Sequence, residues 1–574
     1  MDEVVASVKV GAPDSDVAPT GDPPPSPAVA AAVDGVAARP GEREGHAYYD
    51  GDDGSRWTVT EAIDASGFGR FQLMMLLFTG LAWMGDAMEM MLLSFLGPSV
   101  RCEWGVSPRQ EGRLTSVVFV GMLFGAPFWG VVADARGRRV AFFATTIITF
   151  VAGLVSALSP SFGFLLFART LVGFGLGGVP AAFALFMEFL PAGNRGKWLV
   201  AIEVFWTLGS VVEAGLAWAI LPRHSWRVLL LASTAPLALL LCVMWIVPES
   251  PHYLAARGDA AGAAETLRRV SRANGRDGRL PRSVLKMPAA ETQPPGGGSR
   301  SVVDDAGSEN ALVLSRLRRT TARLAKPFAT VRATLSAKNR ALTLMLWFVF
   351  FAVAFLYYGV VLLTTEIHVD AAPGRMEGGG VRGGDDALRC TGHGSPDVSS
   401  RAFLDIFVSA VAELPGLAFC AVALDAGRLG RRRTLGSSLV IAAACVLVLT
   451  GHRAIAPAAE ASALAAARCF AMAAFTALYV YAPETQPTAV RATALGVGNA
   501  FARLGGMLTP LFAVEMVGNG NLEGVAACFA ALAAVTAGVA FALPVETAGV
   551  DLDADAGDRA RGETRAGDVE LVAT

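Results

Sequence analysis

The chain has 574 residues, of which 53% are hydrophobic and 17% charged, with a net charge of −2 and a mean hydropathy of +0.47. No soluble core needs that much apolar surface, but a bilayer does, because each crossing takes about 20 mostly apolar residues through about 30 Å of hydrocarbon. Seven cysteines without CxxC spacing or His pairing argue against a metal site or a disulfide scaffold, and the charge balance singles out no partner.

The first 56 residues are rich in Ala, Pro, Gly and Asp and lack an apolar h-region, so they read as a disordered tail without a cleaved signal. Apolar runs then predict spans near 71–99, 115–134, 139–158, 163–187, 198–221, 226–247, 341–365, 401–424, 432–451, 462–482, 491–516 and 524–544. The expected fold is an all-α membrane protein of twelve transmembrane helices in two six-helix bundles, residues 57–248 and 341–548. Between them lies a central loop, 249–340, with a helical piece after Pro251, a hinge around Pro294–Ser301 and a basic stretch bearing Leu312, Leu314, Leu317 and Leu324. That stretch is open to two readings, a membrane-surface helix or a solvated linker. The tail 549–574 reads as disordered and acidic.

The bundles look duplicated. Gly130-Val-Val-Ala-Asp134-Ala-Arg-Gly137-Arg138-Arg139 recurs about 290 residues later as Asp425-Ala-Gly-Arg-Leu-Gly430-Arg431-Arg432-Arg433, each between two apolar runs. Arg169, Glu188 and Arg195 in the first half match Arg468, Glu484 and Arg491 in the second. Carboxylates and guanidinium groups at helix ends beside a basic loop suit a gate whose pairing differs between two bundle arrangements.

Basic residues collect in the even-numbered loops, and the 248–340 loop alone holds 17. By the positive-inside rule these loops and both termini are expected to be cytoplasmic. Cys102 and Cys390 fall on the opposite face, where a disulfide is topologically open; Cys242, Cys420, Cys445, Cys469 and Cys528 read as small core residues.

A charge at mid-membrane costs about 2.5–3.5 kcal/mol, so each needs a partner or a wet cavity. Asp86 and Glu89 in span 1 read either as cavity lining or as structural ion pairs, and a proton-coupling role for one of them is a subsidiary expectation. Arg169 in span 4 either anchors a substrate carboxylate or pairs with an acid of span 1 or 5. Glu213, Glu413 and Arg503, the amide of Asn499, and the aromatics Trp206, Tyr357 and Tyr358 complete the expected substrate and coupling cavity. Gly173, Gly175 and Gly178 spell GxGxxG inside an apolar span without a preceding strand, so close helix packing accounts for them better than a dinucleotide. Pro415 and Pro510 loosen spans 8 and 11 as hinges or as ordinary kinks.

Arg169-Thr-Leu-Val-Gly173, Pro248-Glu249-Ser250-Pro251, Tyr481-Ala-Pro-Glu484-Thr and Leu543-Pro-Val-Glu546-Thr547, in that order with the paired loops, resemble the major facilitator superfamily over residues 67–549. The second loop departs from the pattern by two extra residues between Asp425 and Gly430. Asp86-Ala-Met-Glu89 with Gly97-Pro98 and Cys102-Glu-Trp104, the Phe205-Trp206 to Trp218 run, and Glu413-Leu-Pro415-Gly416 resemble a narrower group. That group holds organic cation/carnitine-transporter-like proteins, nicotinate transporters and synaptic-vesicle-two-related proteins. The resemblance implies a major facilitator fold and alternating access around a central site.

The function expected is secondary or facilitative transport of a small organic ion, nicotinate-like or a quaternary amine, with possible proton coupling. A sugar or polyol porter is the runner-up, because Gln occurs only at positions 72, 110, 293 and 486 and Asn499 is the sole mid-span amide. A non-transporting receptor or trafficking protein is the alternative of another class. No enzymatic activity, cofactor, metal or nucleic acid is expected; the partners are substrate, protons and lipid, the chain is expected to be monomeric, and the plasma membrane or an intracellular one is its expected home.

Overall fold

A computed structural model describes residues 48–50, 56–191, 195–276, 285–286, 335, 340–370, 390–391, 395–396, 398–425, 429–451, 454–486 and 491–547. The hinge around Pro294–Ser301, the leucine-bearing basic stretch and both outer tails lie outside the described residues.

Eleven described helices are long and apolar enough to cross a membrane: Arg70–Trp104, Pro108–Arg136, Arg138–Ala157, Phe162–Met187, Val200–Ile220, Trp226–Ile246, Arg340–His368, Ser400–Leu424, Gly430–Gly451, Pro457–Thr485 and Leu522–Ala542. They are spans 1–10 and 12. Span 11 is the helix Arg491–Pro510, continued by a π-helical turn at Leu511–Met516. Asn499, Arg503 and the Gly505–Gly506 pair make it the least apolar of the set, which is why it falls short on composition.

Local chemistry sets the breaks. Ser107 opens span 2, its hydroxyl accepting from the Gln110 amide with Pro108 at the first helical position. Span 4 breaks at Gly177–Gly178, span 6 at Thr234 and span 8 at Ala412, three residues before Pro415; the π turn of span 11 follows Pro510 directly.

Each half repeats one packing plan. Span 1 lies on span 5 and span 2 on span 4, as 7 lies on 11 and 8 on 10, while spans 3 and 9 pack outside against 4 and 6, and 10 and 12. Glycines permit the closest crossings. A Cβ on Gly209 would overlap the Met84 carbonyl and one on Gly505, the matching site, the Phe351 carbonyl; Gly121 and Gly416 meet Thr170 and Cys469 in the same way. Gly173 abuts the Val118 carbonyl and Gly178 the Trp129 and Thr145 side chains, so GxGxxG in this chain is a packing face.

The halves meet through spans 1 and 7, 2 and 11, 5 and 8, and 5 and 10. Spans 1 and 7 are the most enclosed, 72% and 89% buried over their apolar stretches, and so line the interior. Phe124, Phe167, Trp245 and Val422 are exposed on the outer wall, where lipid replaces water.

A small lid packs at the end of the bundle that carries the Asp/Gly/Arg loops, hereafter the basic end. Val59–Ser66 and the central-loop helices Pro251–Ala256 and Ala260–Ala273 share a core of Val59, Ile63, Ala255, Ala264 and Leu267. Strands β1 (Tyr48–Asp50), β2 (Arg56–Thr58) and β3 (Leu285–Lys286) form a ribbon, partly within the segment read as a tail. Asn274 pins the lid to span 1, donating to the carbonyls of Ser66 and Gly67 and to Gln72 Oε1.

Candidate functional site: a charged interior between two braced halves

At the basic end the two halves carry the same brace. Gly137 has φ +110° and Gly430 φ +66°, a region that favours glycine, and a Cβ at either would occupy the place of a carboxylate, Glu249 or Glu546. Those carboxylates cap the following helices: Glu249 accepts from the Arg139 amide at 3.1 Å, Glu546 from Arg431 and Arg432 at 2.8 and 3.2 Å. Anionic caps at helix N-termini also favour the helix dipole. The arginines then tie in the neighbours. Arg138 bonds Asp134 and, at 3.3 Å, Glu188; Arg431 reaches Glu484 at 3.3 Å; Arg139 and Arg432 donate to the Trp245 and Leu543 carbonyls. Each of these bonds stays within one half. Among the described residues nothing lies where a Cβ on Gly130 would sit, and the side chains of Arg195, Asp425 and Arg491 lie outside the described residues.

Mid-bundle, two ion pairs are sealed. Arg169 Nη1 meets Glu89 Oε2 at 2.6 Å and Arg468 Nε meets Glu413 Oε1 at 2.7 Å, with all four side chains at most 1% exposed. Arg169 thus takes its partner from span 1. Glu213 of span 5 lies within electrostatic reach of Arg169 and Glu89, and the Ser233 hydroxyl donates to its carboxylate at 2.8 Å. The pairs leave capacity over. Arg169 Nε and Nη2, Glu89 Oε1, Arg468 Nη1 and Glu413 Oε2 have no hydrogen-bond partner among the described residues, so a water, proton or substrate group has places to bind.

A relay crosses between the halves. Trp206 Nε1 donates to the Tyr357 hydroxyl at 2.7 Å, which donates to Glu413 Oε1 at 2.9 Å. Tyr358 accepts from Arg503 at 3.5 Å, and Tyr479 donates to Asn499. Asp86 differs from Glu89. It is buried, makes no hydrogen bond or ion pair among the described residues, and has Arg503 and Glu89 as electrostatic neighbours.

Further links between the halves gather at mid-depth and at the end opposite the basic loops. Ser116 donates to the Met507 carbonyl at 2.9 Å; Arg101 spans Glu111 of span 2 and Glu366 of span 7 at 2.9 and 3.1 Å; Cys102 and Cys390 form a disulfide. The opposite end is therefore the tied one.

Sequence reasoning did not single out Glu203, the Arg101–Glu111–Glu366 cluster, or the capping roles of Glu249 and Glu546. An acid inside the apolar run of span 5 was a signal for Glu203. The caps join residues 110 to 115 positions apart, and no local signal reveals them.

The sequence profile described as "Sugar (and other) transporter" matches residues 68–301 and 405–555. The chain is 40% identical over 509 residues to organic cation/carnitine transporter 7 of Arabidopsis thaliana, covering 87% of this chain and 97% of that protein. The chain belongs to the sugar (and other) transporter family. It is also 35% identical to synaptic vesicle 2-related protein of Rattus norvegicus over 498 residues, covering 86% and 81% of the two chains. Among solved structures, the major facilitator superfamily proton:xylose symporter XylE aligns with a TM-score of 0.59 at 16% identity, over 84% of this chain and 98% of that one. The fold is the major facilitator fold, and this family member is a multi-pass membrane transporter and not an enzyme.

Proposed function

We propose that this transporter carries a small organic ion, nicotinate-like or a quaternary amine, by rocking its braced halves about the charged interior, with the basic end and both termini in the cytoplasm. The observation that carries the reading is the Trp206–Tyr357–Glu413–Arg468 relay, which joins spans 5, 7, 8 and 10 at the level of the second ion pair, Glu89–Arg169. A substrate entering there competes for bonds that hold the halves together, so its binding is coupled to their separation. Arginine–carboxylate pairs also suit protons as the coupling ion, since protonating Glu89 or Glu413 frees the guanidinium. The interior offers few amides, Asn499 being already bonded to Tyr479, which disfavours a polyhydroxylated sugar.

Uptake into proteoliposomes of nicotinate, choline, carnitine and glucose, with and without a pH gradient, tests the proposal. Saturable uptake of an organic ion but not of glucose, accelerated by the gradient if protons are the coupling ion, is the expected result. Glucose uptake without ion uptake would identify a sugar porter, and binding without any uptake a receptor.

A further inference from the structure

The sign of the substrate charge can be read from groups in the same interior that the two ion pairs do not use. The middle of the bundle holds the carboxylates of Asp86, Glu89, Glu203, Glu213 and Glu413 against the guanidinium groups of Arg169, Arg468 and Arg503. Two pairs cancel, and Arg503 lies opposite Asp86 and against Tyr358. Glu213 is held by a neutral hydroxyl, and Glu203 by a neutral indole. Counted as ionised, the five carboxylates outnumber the three guanidinium groups, and the balance is then negative.

Glu203 is the exceptional member. It is 5% exposed, its Oε2 accepts from Trp83 Nε1 at 3.3 Å, and its Oε1 accepts nothing among the described residues. One turn along span 5 lies Trp206. Its ring sits 6.0 Å from that of Trp83 at 60° and 6.4 Å from that of Tyr357 at 55°, so three aromatic rings from spans 1, 5 and 7 form a wall beside the carboxylate. Trp83 and Trp206 are only half-buried, leaving ring surface accessible. An aromatic wall attracts a weakly hydrated organic cation through the ring quadrupole, and a buried carboxylate with an unused oxygen adds a charge contact. An anion would meet repulsion from Glu203, and a bare proton has no use for the rings.

We propose that Glu203, beside the Trp83–Trp206–Tyr357 wall, is the specificity-determining residue that makes the carrier select an organic cation bearing a quaternary or ring nitrogen. The inference rests on the transport reading above, and the two fail differently. The test is ligand binding to the purified full-length chain, followed by tryptophan fluorescence and calorimetry. The ring-methylated pyridinium 1-methylnicotinamide and choline serve as cations, and nicotinate as an anion of matching ring.

Both cations are expected to bind saturably. Glu203→Gln should weaken them at least about tenfold, the scale of one lost charged contact, and leave nicotinate binding unchanged or stronger, because the repulsion is gone. Glu203→Asp should retain part of the affinity. Trp206→Leu should weaken the cations without favouring nicotinate, which keeps the test open if Glu203→Gln misfolds. Absence of saturable cation binding to the wild type, or equal effects of Glu203→Gln on cations and nicotinate, would overturn the proposal. Nicotinate uptake with no cation binding overturns this proposal while the transport reading stands; Glu203-dependent cation binding with no uptake of any organic ion does the reverse.

Discussion

Arg169→Ala and Arg468→Ala are each expected to lower the stability of the purified transporter by about 3–5 kcal/mol and to abolish uptake. Removing one partner of a sealed pair leaves the other charge buried without compensation. Both pairs qualify, because Glu89, Arg169, Glu413 and Arg468 are at most 1% exposed and sit at 2.6–2.7 Å. The cost of the pair itself is different, since burying two charges nearly offsets their attraction. Glu89→Gln combined with Arg169→Met should therefore recover most of the melting temperature while uptake stays lost. Thermal unfolding in detergent and uptake in proteoliposomes separate the two effects. Wild-type stability and uptake in Arg169→Ala would show that the pair matters to neither.

Gly209→Val and Gly505→Val should each cost about 3 kcal/mol or more, near the upper end for overpacking, because the obstacle is backbone and not a side chain that can turn away. The carbonyls of Met84 and Phe351 fill the space a Cβ would take. These residues set the spacing of spans 1 and 5 and of spans 7 and 11, so the change also displaces Trp206 from Tyr357. Gly538 in span 12 has nothing near its missing Cβ among the described residues. Gly538→Ala should leave stability unchanged or raise it by up to about 1 kcal/mol, the helix propensity gain. Equal losses at all three sites would rule out close packing as the cause.

The architecture was legible because a span needs length and apolarity, both written locally, and because two Asp/Gly/Arg loops announce the duplication. Intramembrane charges were legible as a set, since each is costly enough to need a reason. Their partners were not. Arg169 was left between a substrate, span 1 and span 5, and only the packing of span 4 decides for Glu89. Asp86 and Glu89 looked equivalent three residues apart, yet one is sealed in a pair and the other is not. The glycines of the loops make room for Glu249 and Glu546, whose sequence positions give no hint of the helix ends they cap. Cys102 and Cys390 were a topological option that the structure closes.

The central claim is that two rigid halves rock so that the interior faces the two sides in turn. Pulsed electron-spin distance measurements test it most directly. With Cys242, Cys420, Cys445, Cys469 and Cys528 replaced and the Cys102–Cys390 disulfide kept, one labelled pair is placed at Arg113 and Asn519 at the tied end. A second pair is placed at Arg136 and Arg433 at the basic end. All four positions are exposed. On adding a transported organic ion, the first pair should gain a longer-distance population as the second shortens. Distances that stay fixed, or that lengthen together, would contradict the account.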